Sequence, residues 1–282
     1  MAAKSKKQKN YTVAKGNDGS LQITFTIDFN LLKTKREEIA KERSVNVEVA
    51  GFRKGKAPLD KVIEKIGVED LNTHALNRML PKMFTDAVIS EKLKPAMMPK
   101  FELIKVEEGK DWEIRANTCE LPKFEIGDYK KAIKTIKSPK KVKLTKEEKE
   151  QKIIDKLITS IEMNLPEILV EDEINSRLSS LLQRLEKLGL TLEGYLSSIK
   201  KTGEELRKEY REQSVATIKL DLILAKISDE EKVKINEKEV EGYLEASKID
   251  PNYKPESDEE QKRLIRSILK RKAVLDKLTE LM

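Results

Sequence analysis

Apolar and polar residues alternate most regularly in SLQITFTI (20–27), where every second residue is apolar. A period of two places alternate side chains on opposite faces of a β-strand, so this segment predicts a half-buried strand. VNVEV (45–49) is a shorter strand candidate. FELIKVE (101–107) and DWEIRANTCEL (111–121) are predicted to form a hairpin that turns at Glu108-Gly109-Lys110.

Between these strands the apolar residues recur at helical spacing. Residues 30–43 predict a helix capped by Asn30, and LDKVIEKIG (59–67) predicts a short helix that stops at its glycine. Residues 70–92 predict a longer helix. Because Pro81 lies inside that helix, we expect a kink or a break there.

After residue 144 the pattern is helical throughout. The first helix of this part is capped by Thr145, the second ends at Gly189, and the longest contains the apolar segment VATIKLDLILAKI, which should be central. In the last helix, five apolar residues share one register: Leu264, Ile265, Ile268, Leu275 and Leu278. The predicted helices span residues 145–164, 171–188, 203–228, 235–248 and 257–281, and Pro251 and Pro255 mark a loop before the last of them.

These elements predict an organisation in two domains. Residues 1–10 are a basic disordered tail, and 11–128 form an α+β domain. The lysine-rich segment 129–144 is an extended linker, and 145–282 form an all-α domain. The chain of 282 residues is 38% apolar and 38% charged. Such a lean core suits an elongated, mostly helical protein.

The amino-acid composition excludes several classes of catalytic and metal site. Because His74 and Cys119 are the single histidine and cysteine, ordinary zinc sites and Ser/His/Asp or Cys/His nucleophilic sites lack their parts. We predict no catalytic residue, no metal and no cofactor. No apolar run is long enough to span a membrane, and the N-terminus lacks a secretory pattern, so we expect a cytoplasmic protein.

One loop concentrates the candidate binding residues. GFRKGKAP (51–58) joins an aromatic ring to three cations, with glycines that permit positive φ and a proline suited to the first turn of a helix. The spacing of its glycines and the absence of a following Ser or Thr exclude a phosphate-binding P-loop. The loop would present Phe52, Arg53 and Lys54 at a tip. The alternative is an ordinary strand-to-helix turn with Phe52 tucked into the core.

The whole octapeptide resembles the ribosome-docking signature of the trigger factor family of bacterial nascent-chain chaperones. Residues 84–114 also resemble the second half of that family's N-terminal domain, and the resemblance covers about 11–128. LPEILVEDEINSRLSSLLQRL (165–185) resembles its helical C-terminal domain more weakly. A full-length member carries an FKBP-type prolyl isomerase domain between these parts. Here about 15 linker residues stand in its place, too few for a folded module.

The resemblance implies an ATP-independent chaperone that docks at the ribosomal exit tunnel and shields nascent polypeptides. Its docking residues would be Gly51, Phe52, Arg53, Lys54, Gly55, Lys56 and Pro58. They would contact ribosomal RNA and a tunnel-exit ribosomal protein, and the free protein could form a homodimer. Two alternatives stay open: a prolyl isomerase, which the missing domain disfavours, and a basic RNA-binding module, which the net charge of +7 permits.

Overall fold

The computed structural model describes residues 9–136, 144–247 and 258–282. The described residues form two compact units. The first contains the residues up to Leu121 together with Pro166–Leu169, and the second contains Pro122–Leu165 and the residues from Val170 onward. Most of the predicted basic tail and the predicted Pro251–Pro255 loop lie outside the described residues.

The first unit is built on a four-stranded antiparallel sheet of order β1-β2-β4-β3. The predicted strand is confirmed as β2, whose alternate apolar side chains are at most 1% exposed. The predicted hairpin is also confirmed: Gly109 adopts φ +82° in its turn, and the Lys110 N–H donates to the Glu107 carbonyl at 3.2 Å. The strands span Tyr11–Lys15 (β1), Ser20–Ile27 (β2), Lys100–Lys105 (β3) and Trp112–Cys119 (β4).

Two strand assignments differ from the sequence-based prediction. Strand β1 was not predicted, because YTVAK is short and no residue in it is fully buried; it forms by pairing with β2, with Tyr11 opposite Phe25. The strand predicted over 45–49 is wrong. The N–H groups of Asn46 and Val47 both donate to the Arg43 carbonyl, so the chain leaves the preceding helix through a turn rather than joining a ladder.

Three helices cover the apolar face of the sheet: α1 (Phe29–Ser44), α2 (Leu59–Ile66) and α3 (Val68–Glu91). The predicted cap of α1 is wrong by two positions, since the Asp28 carboxylate rather than Asn30 accepts the Leu31 N–H. Helix α3 runs through Pro81 without a break. Burial of Leu80 and Ala87 on either side of the proline holds the helix against the core, and this packing offsets the lost backbone hydrogen bond.

The remaining helices are α4 (Tyr129–Lys134), α5 (Lys146–Ser160), α6 (Glu167–Lys187), α7 (Leu192–Ser198), α8 (Gly203–Glu230), α9 (Glu237–Ser247) and α10 (Asp258–Thr279). The Thr145 cap is confirmed and forms a capping box with Glu148. The apolar segment of α8 is central as predicted, with Ile223, Leu224 and Ile227 at most 2% exposed. An α+β unit and a helical unit confirm the predicted fold class.

The predicted extended linker is wrong at its start. Residues 129–134 are helix α4 rather than extended linker, because Tyr129 and Ile133 are buried in the core of this unit. The Tyr129 hydroxyl donates to Glu231 at 2.8 Å, and burial, followed by this hydrogen bond, raises the pKa of Tyr129. Residues 137–143 of the lysine-rich stretch lie outside the described residues.

The register predicted for the last helix is only partly right. Leu278 is 3% exposed, but Leu264 is 62% exposed and Ile268 is 53% exposed. The buried residues of α10 are Leu269, Val274 and Leu278. The face of α10 that packs against the core is therefore rotated about the helix axis from the face predicted from sequence.

Candidate functional site

The loop between α1 and α2 projects the predicted docking residues into solvent. Residues 50–56 are all exposed. The loop begins where α1 ends, and it ends at Pro58, which precedes the first residue of α2 and has φ −56°. Val49 and Ala57 flank it and pack against the core of the first unit. The exposed segment is therefore fixed at both ends.

Two consecutive tight turns shape the loop. The Phe52 N–H donates to the Val49 carbonyl at 3.1 Å, and the Lys56 N–H donates to the Arg53 carbonyl at 2.9 Å. In each turn the third residue is a glycine: Gly51 has φ +83° and Gly55 has φ +75°. A type II turn requires positive φ at this position. Both glycines are thus needed for backbone geometry.

The side chains at the tip are available to a partner. Phe52 is 45% exposed, which excludes the alternative that its ring is tucked into the core. Within the described part of the chain, Arg53 and Lys56 make no ion pair. The Lys54 ammonium lies 3.6 Å from the Glu48 carboxylate, which is itself 85% exposed, and such a pair contributes little stability. The loop therefore offers cations and a ring with few internal partners.

A polar network ties the end of α1, just before the loop, to α3. An Arg43 guanidinium nitrogen lies 2.6 Å from His74 Nε2; because arginine only donates, the imidazole accepts at this atom. Arg78 binds Glu42 with two hydrogen bonds of 3.0 and 2.6 Å, and these lower the pKa of the Glu42 carboxyl. The sequence predicts no special role for His74, and its contact with Arg43 depends on how α1 and α3 pack.

The helical unit carries an apolar surface that sequence reasoning did not locate. Where α6, α7 and α8 meet, a groove of about 240 Å³ is lined mainly by leucines: Leu178, Leu181, Leu182, Leu192, Leu196 and Leu206, with Gly203 and Arg207. In the connection from α6 to α7, Leu188 is 71% exposed and Leu190 is 53% exposed. A cluster of exposed leucines marks a candidate binding surface for apolar segments.

Other kinds of site find little support in the described residues. Over 9–136, 144–247 and 258–282, no group of three or more His, Cys, Asp or Glu side chains is arranged to hold a metal ion. None of the helices described here is long and apolar enough to cross a bilayer.

Comparison with known proteins gives two adjoining family matches. Residues 9–157 match the family described as bacterial trigger factor protein, and 127–280 match the C-terminus of the same protein. Each match covers more than half of the chain, and the two overlap at residues 127–157. No unmatched residues therefore remain between them where a middle domain would lie.

Individual relatives show the same likeness over about half of the chain. The chain is 32% identical over 158 residues to trigger factor of Lactococcus lactis subsp. cremoris, and 33% identical over 151 residues to trigger factor of Streptococcus uberis. These matches cover 56% and 54% of this chain but 35% and 34% of the relatives. The match thus spans about a third of the length of these curated relatives.

A solved structure described as "Promiscuous Substrate Recognition in Folding and Assembly Activities of the Trigger Factor Chaperone" matches the whole fold. The match covers 96% of this chain and 99% of that chain, with a TM-score of 0.62 and 14% sequence identity. At this identity the comparison shows a shared fold.

Proposed function

Because this chain belongs to the bacterial trigger factor family and lacks the family's middle prolyl isomerase domain, we propose that it is an ATP-independent chaperone. It docks at the ribosomal exit tunnel through residues 51–58 and shields nascent polypeptides with its helical unit. The observation that carries this proposal is the loop itself, which holds a ring and unpaired cations in solvent on two glycine-dependent turns.

The chemistry of the loop suits a ribonucleoprotein surface. Arg53, Lys54 and Lys56 can each donate charge-assisted hydrogen bonds to phosphate oxygens, and these are stronger than bonds between neutral groups. Phe52 can insert into an apolar pocket of a ribosomal protein or stack on a base. The loop therefore combines contacts to ribosomal RNA with contacts to a tunnel-exit ribosomal protein.

The helical unit supplies the client surface in this proposal. Nascent chains expose scattered apolar side chains before they fold, and the leucine groove of α6, α7 and α8 offers apolar area to bind them. The charged residues between such patches keep the surface hydrated. Binding many different clients weakly requires no nucleotide, since each contact is released by simple dissociation.

The two alternative functions predict different experimental results. A prolyl isomerase would turn over a proline-containing peptide although the family's isomerase domain is missing. A basic RNA-binding module would bind naked RNA through its net charge of +7, with a steep dependence on salt and without need of the loop. A cytoplasmic location and a homodimer of the free protein are further parts of the proposal.

The first prediction concerns ribosome docking. The triple variant Phe52→Ala, Arg53→Ala, Lys54→Ala should bind ribosomes at least 30-fold more weakly than the wild type. Each lost charge-assisted hydrogen bond removes roughly 1.5–3 kcal/mol, and 1.4 kcal/mol is about tenfold in affinity. The measurement is co-sedimentation with ribosomes at moderate salt, titrated to a dissociation constant.

A matched control separates docking from bulk charge. The variant Tyr243→Ala, Lys234→Ala, Lys238→Ala also removes one exposed ring and two exposed cations, but from the helical unit. It should pellet with ribosomes like the wild type. Equal pelleting of all three proteins would contradict docking through the loop and favour nonspecific RNA binding.

The second prediction concerns clients. The variant Leu188→Ser, Leu190→Ser should suppress aggregation of a diluted, chemically unfolded protein only at about tenfold higher chaperone concentration. Full burial of a leucine side chain contributes roughly 1.5–3 kcal/mol. A weak contact with a client buries each leucine only in part, so each contributes only part of this free energy. Stability should hardly change, because both side chains are more than half exposed.

The control for client binding removes similar apolar area elsewhere. Ile89 and Met98 in the first unit are 69% and 84% exposed, so Ile89→Ser, Met98→Ser should protect the client as well as the wild type does. If this control loses protection equally, exposed apolar area anywhere on the chain suffices, and the exposed leucines at 188 and 190 have no special role.

A further inference from the structure

A second cavity in the helical unit is lined by charged residues, unlike the leucine-lined groove. It has a volume of about 320 Å³ and lies between α8 and α10. Its α8 wall is formed by Leu224, Ala225, Ser228 and Asp229, and its α10 wall by Arg263, Arg266, Ser267, Lys270 and Arg271. Four cations thus line one wall of a cavity whose other wall carries one acid.

The cations form a continuous stripe along α10. Relative to Arg263, the other α10 residues of the cavity follow at three, four, seven and eight positions along the chain. This spacing places them all on one face of a helix. The stripe faces the cavity, where positive charges repel one another and an anion would be attracted.

Only part of this charge is neutralised within the chain. Arg266 binds Glu237 through hydrogen bonds of 2.8 to 3.2 Å, and Arg271 binds Asp221 at 2.7 Å. Arg263 and Lys270 have no ion-pair partner among the described residues. Two of the four cations of the cavity, Arg263 and Lys270, therefore form no ion pair within the described ranges, while Arg266 and Arg271 are fixed by carboxylates.

A buried hydroxyl on the opposite wall points to the same chemistry. Ser228 is 3% exposed, and its Oγ has no hydrogen-bond partner within the described ranges. A buried polar group without a partner is costly, and native proteins satisfy nearly all such groups. An anion in the cavity would accept a hydrogen bond from this hydroxyl.

We propose that this cavity is a binding site for a compact phosphate anion of the diphosphate class. Arg263 and Lys270 are separated by seven residues, about 10 Å along a helix axis. Two long cationic side chains at this separation can converge on adjacent phosphate groups. Arg266 and Arg271 line the same wall, each paired with a carboxylate, and Ser228 donates from the α8 side. The site does not depend on the proposed docking loop, which lies in the other unit.

The test is isothermal titration calorimetry of the full chain with sodium pyrophosphate, at low ionic strength. The wild type should bind one equivalent with a submillimolar dissociation constant. Titration with ADP identifies the source of the phosphates: equal affinity is expected for a site that recognises the phosphates alone, and tighter ADP binding would support the same site with a nucleotide as its ligand. No measurable binding of either compound at 5 mM would overturn the proposal.

A charge-matched pair of variants distinguishes the cavity from the general positive charge. Arg263→Gln, Lys270→Gln should weaken pyrophosphate binding at least tenfold. Lys208→Gln, Lys272→Gln removes the same charge from exposed positions that do not line the cavity, and it should bind like the wild type. Equal weakening in both double variants would overturn the proposal, because bulk electrostatics would then account for binding.

Two single variants probe the α8 wall. Ser228→Ala should raise the midpoint of thermal unfolding without anion, since it removes the unsatisfied hydroxyl, and should weaken pyrophosphate binding about threefold or more. A purely structural role for this hydroxyl would produce no loss of binding.

Asp229→Asn removes the acid from the wall and should tighten binding severalfold; unchanged affinity would place the anion away from this wall.

Discussion

Replacing both Gly51 and Gly55 by alanine is expected to weaken ribosome binding at least tenfold, although the Phe52 ring and every cation of the loop remain. Both glycines adopt positive φ, at +83° and +75°. An L-residue in this conformation costs roughly 1–2 kcal/mol, so the double variant would lose the presented loop shape in favour of others. Co-sedimentation with ribosomes measures the effect.

The physical cause of this effect is backbone strain alone. No atom lies within 4 Å of a Cβ built on Gly51, and the nearest atom to one built on Gly55 is the Val45 Cα at 3.7 Å, an ordinary van der Waals distance. The variant therefore tests whether loop conformation contributes to docking, independently of the side chains that the triple alanine variant removes.

Gly109→Ala is the control for this double variant. Gly109 also adopts positive φ, at +82°, and has open space around it, but it lies in the β3–β4 turn. It should lower stability by a similar amount per residue and leave ribosome affinity unchanged. Wild-type affinity in the Gly51→Ala, Gly55→Ala protein would show that the two turns are not part of the docking surface.

The sequence predicts best those elements whose signals are local. Strand β2 follows from strict alternation, and the start of α5 follows from Thr145, which the structure shows in a capping box with Glu148. The exposed loop at 51–58 also follows from the sequence, because glycine, cation and aromatic residues occur together in one short stretch, and its role in docking stays a prediction.

The features that the sequence did not predict depend on contacts between residues that are far apart in the chain. Strand β1 exists through its pairing with β2, and α4 through burial of Tyr129 and Ile133 in a core to which α5, α8 and α10 contribute. The lysine-rich composition of this segment predicts an extended linker, but burial of these two side chains stabilises a helix instead. The cationic cavity and the Arg43–His74 contact likewise need helices that are far apart in sequence.

The final prediction uses the corrected register of α10. Leu278→Ala should lower the free energy of unfolding of the helical unit by about 3 kcal/mol, because truncating a buried leucine removes apolar burial and leaves a cavity. Leu278 is 3% exposed and belongs to the main core of this unit. The measurement is denaturant unfolding followed by far-ultraviolet circular dichroism.

Leu264→Ala is the matched control, since both leucines belong to the same predicted stripe on the same helix. Leu264 is 62% exposed, so its truncation should change stability by no more than about 0.5 kcal/mol. Trp112, the single tryptophan, lies buried in the first unit, and its fluorescence should report an unchanged transition in both variants if the units unfold independently. Equal destabilisation by the two substitutions would mean that the stripe predicted from sequence, rather than the face seen in the structure, packs against the core.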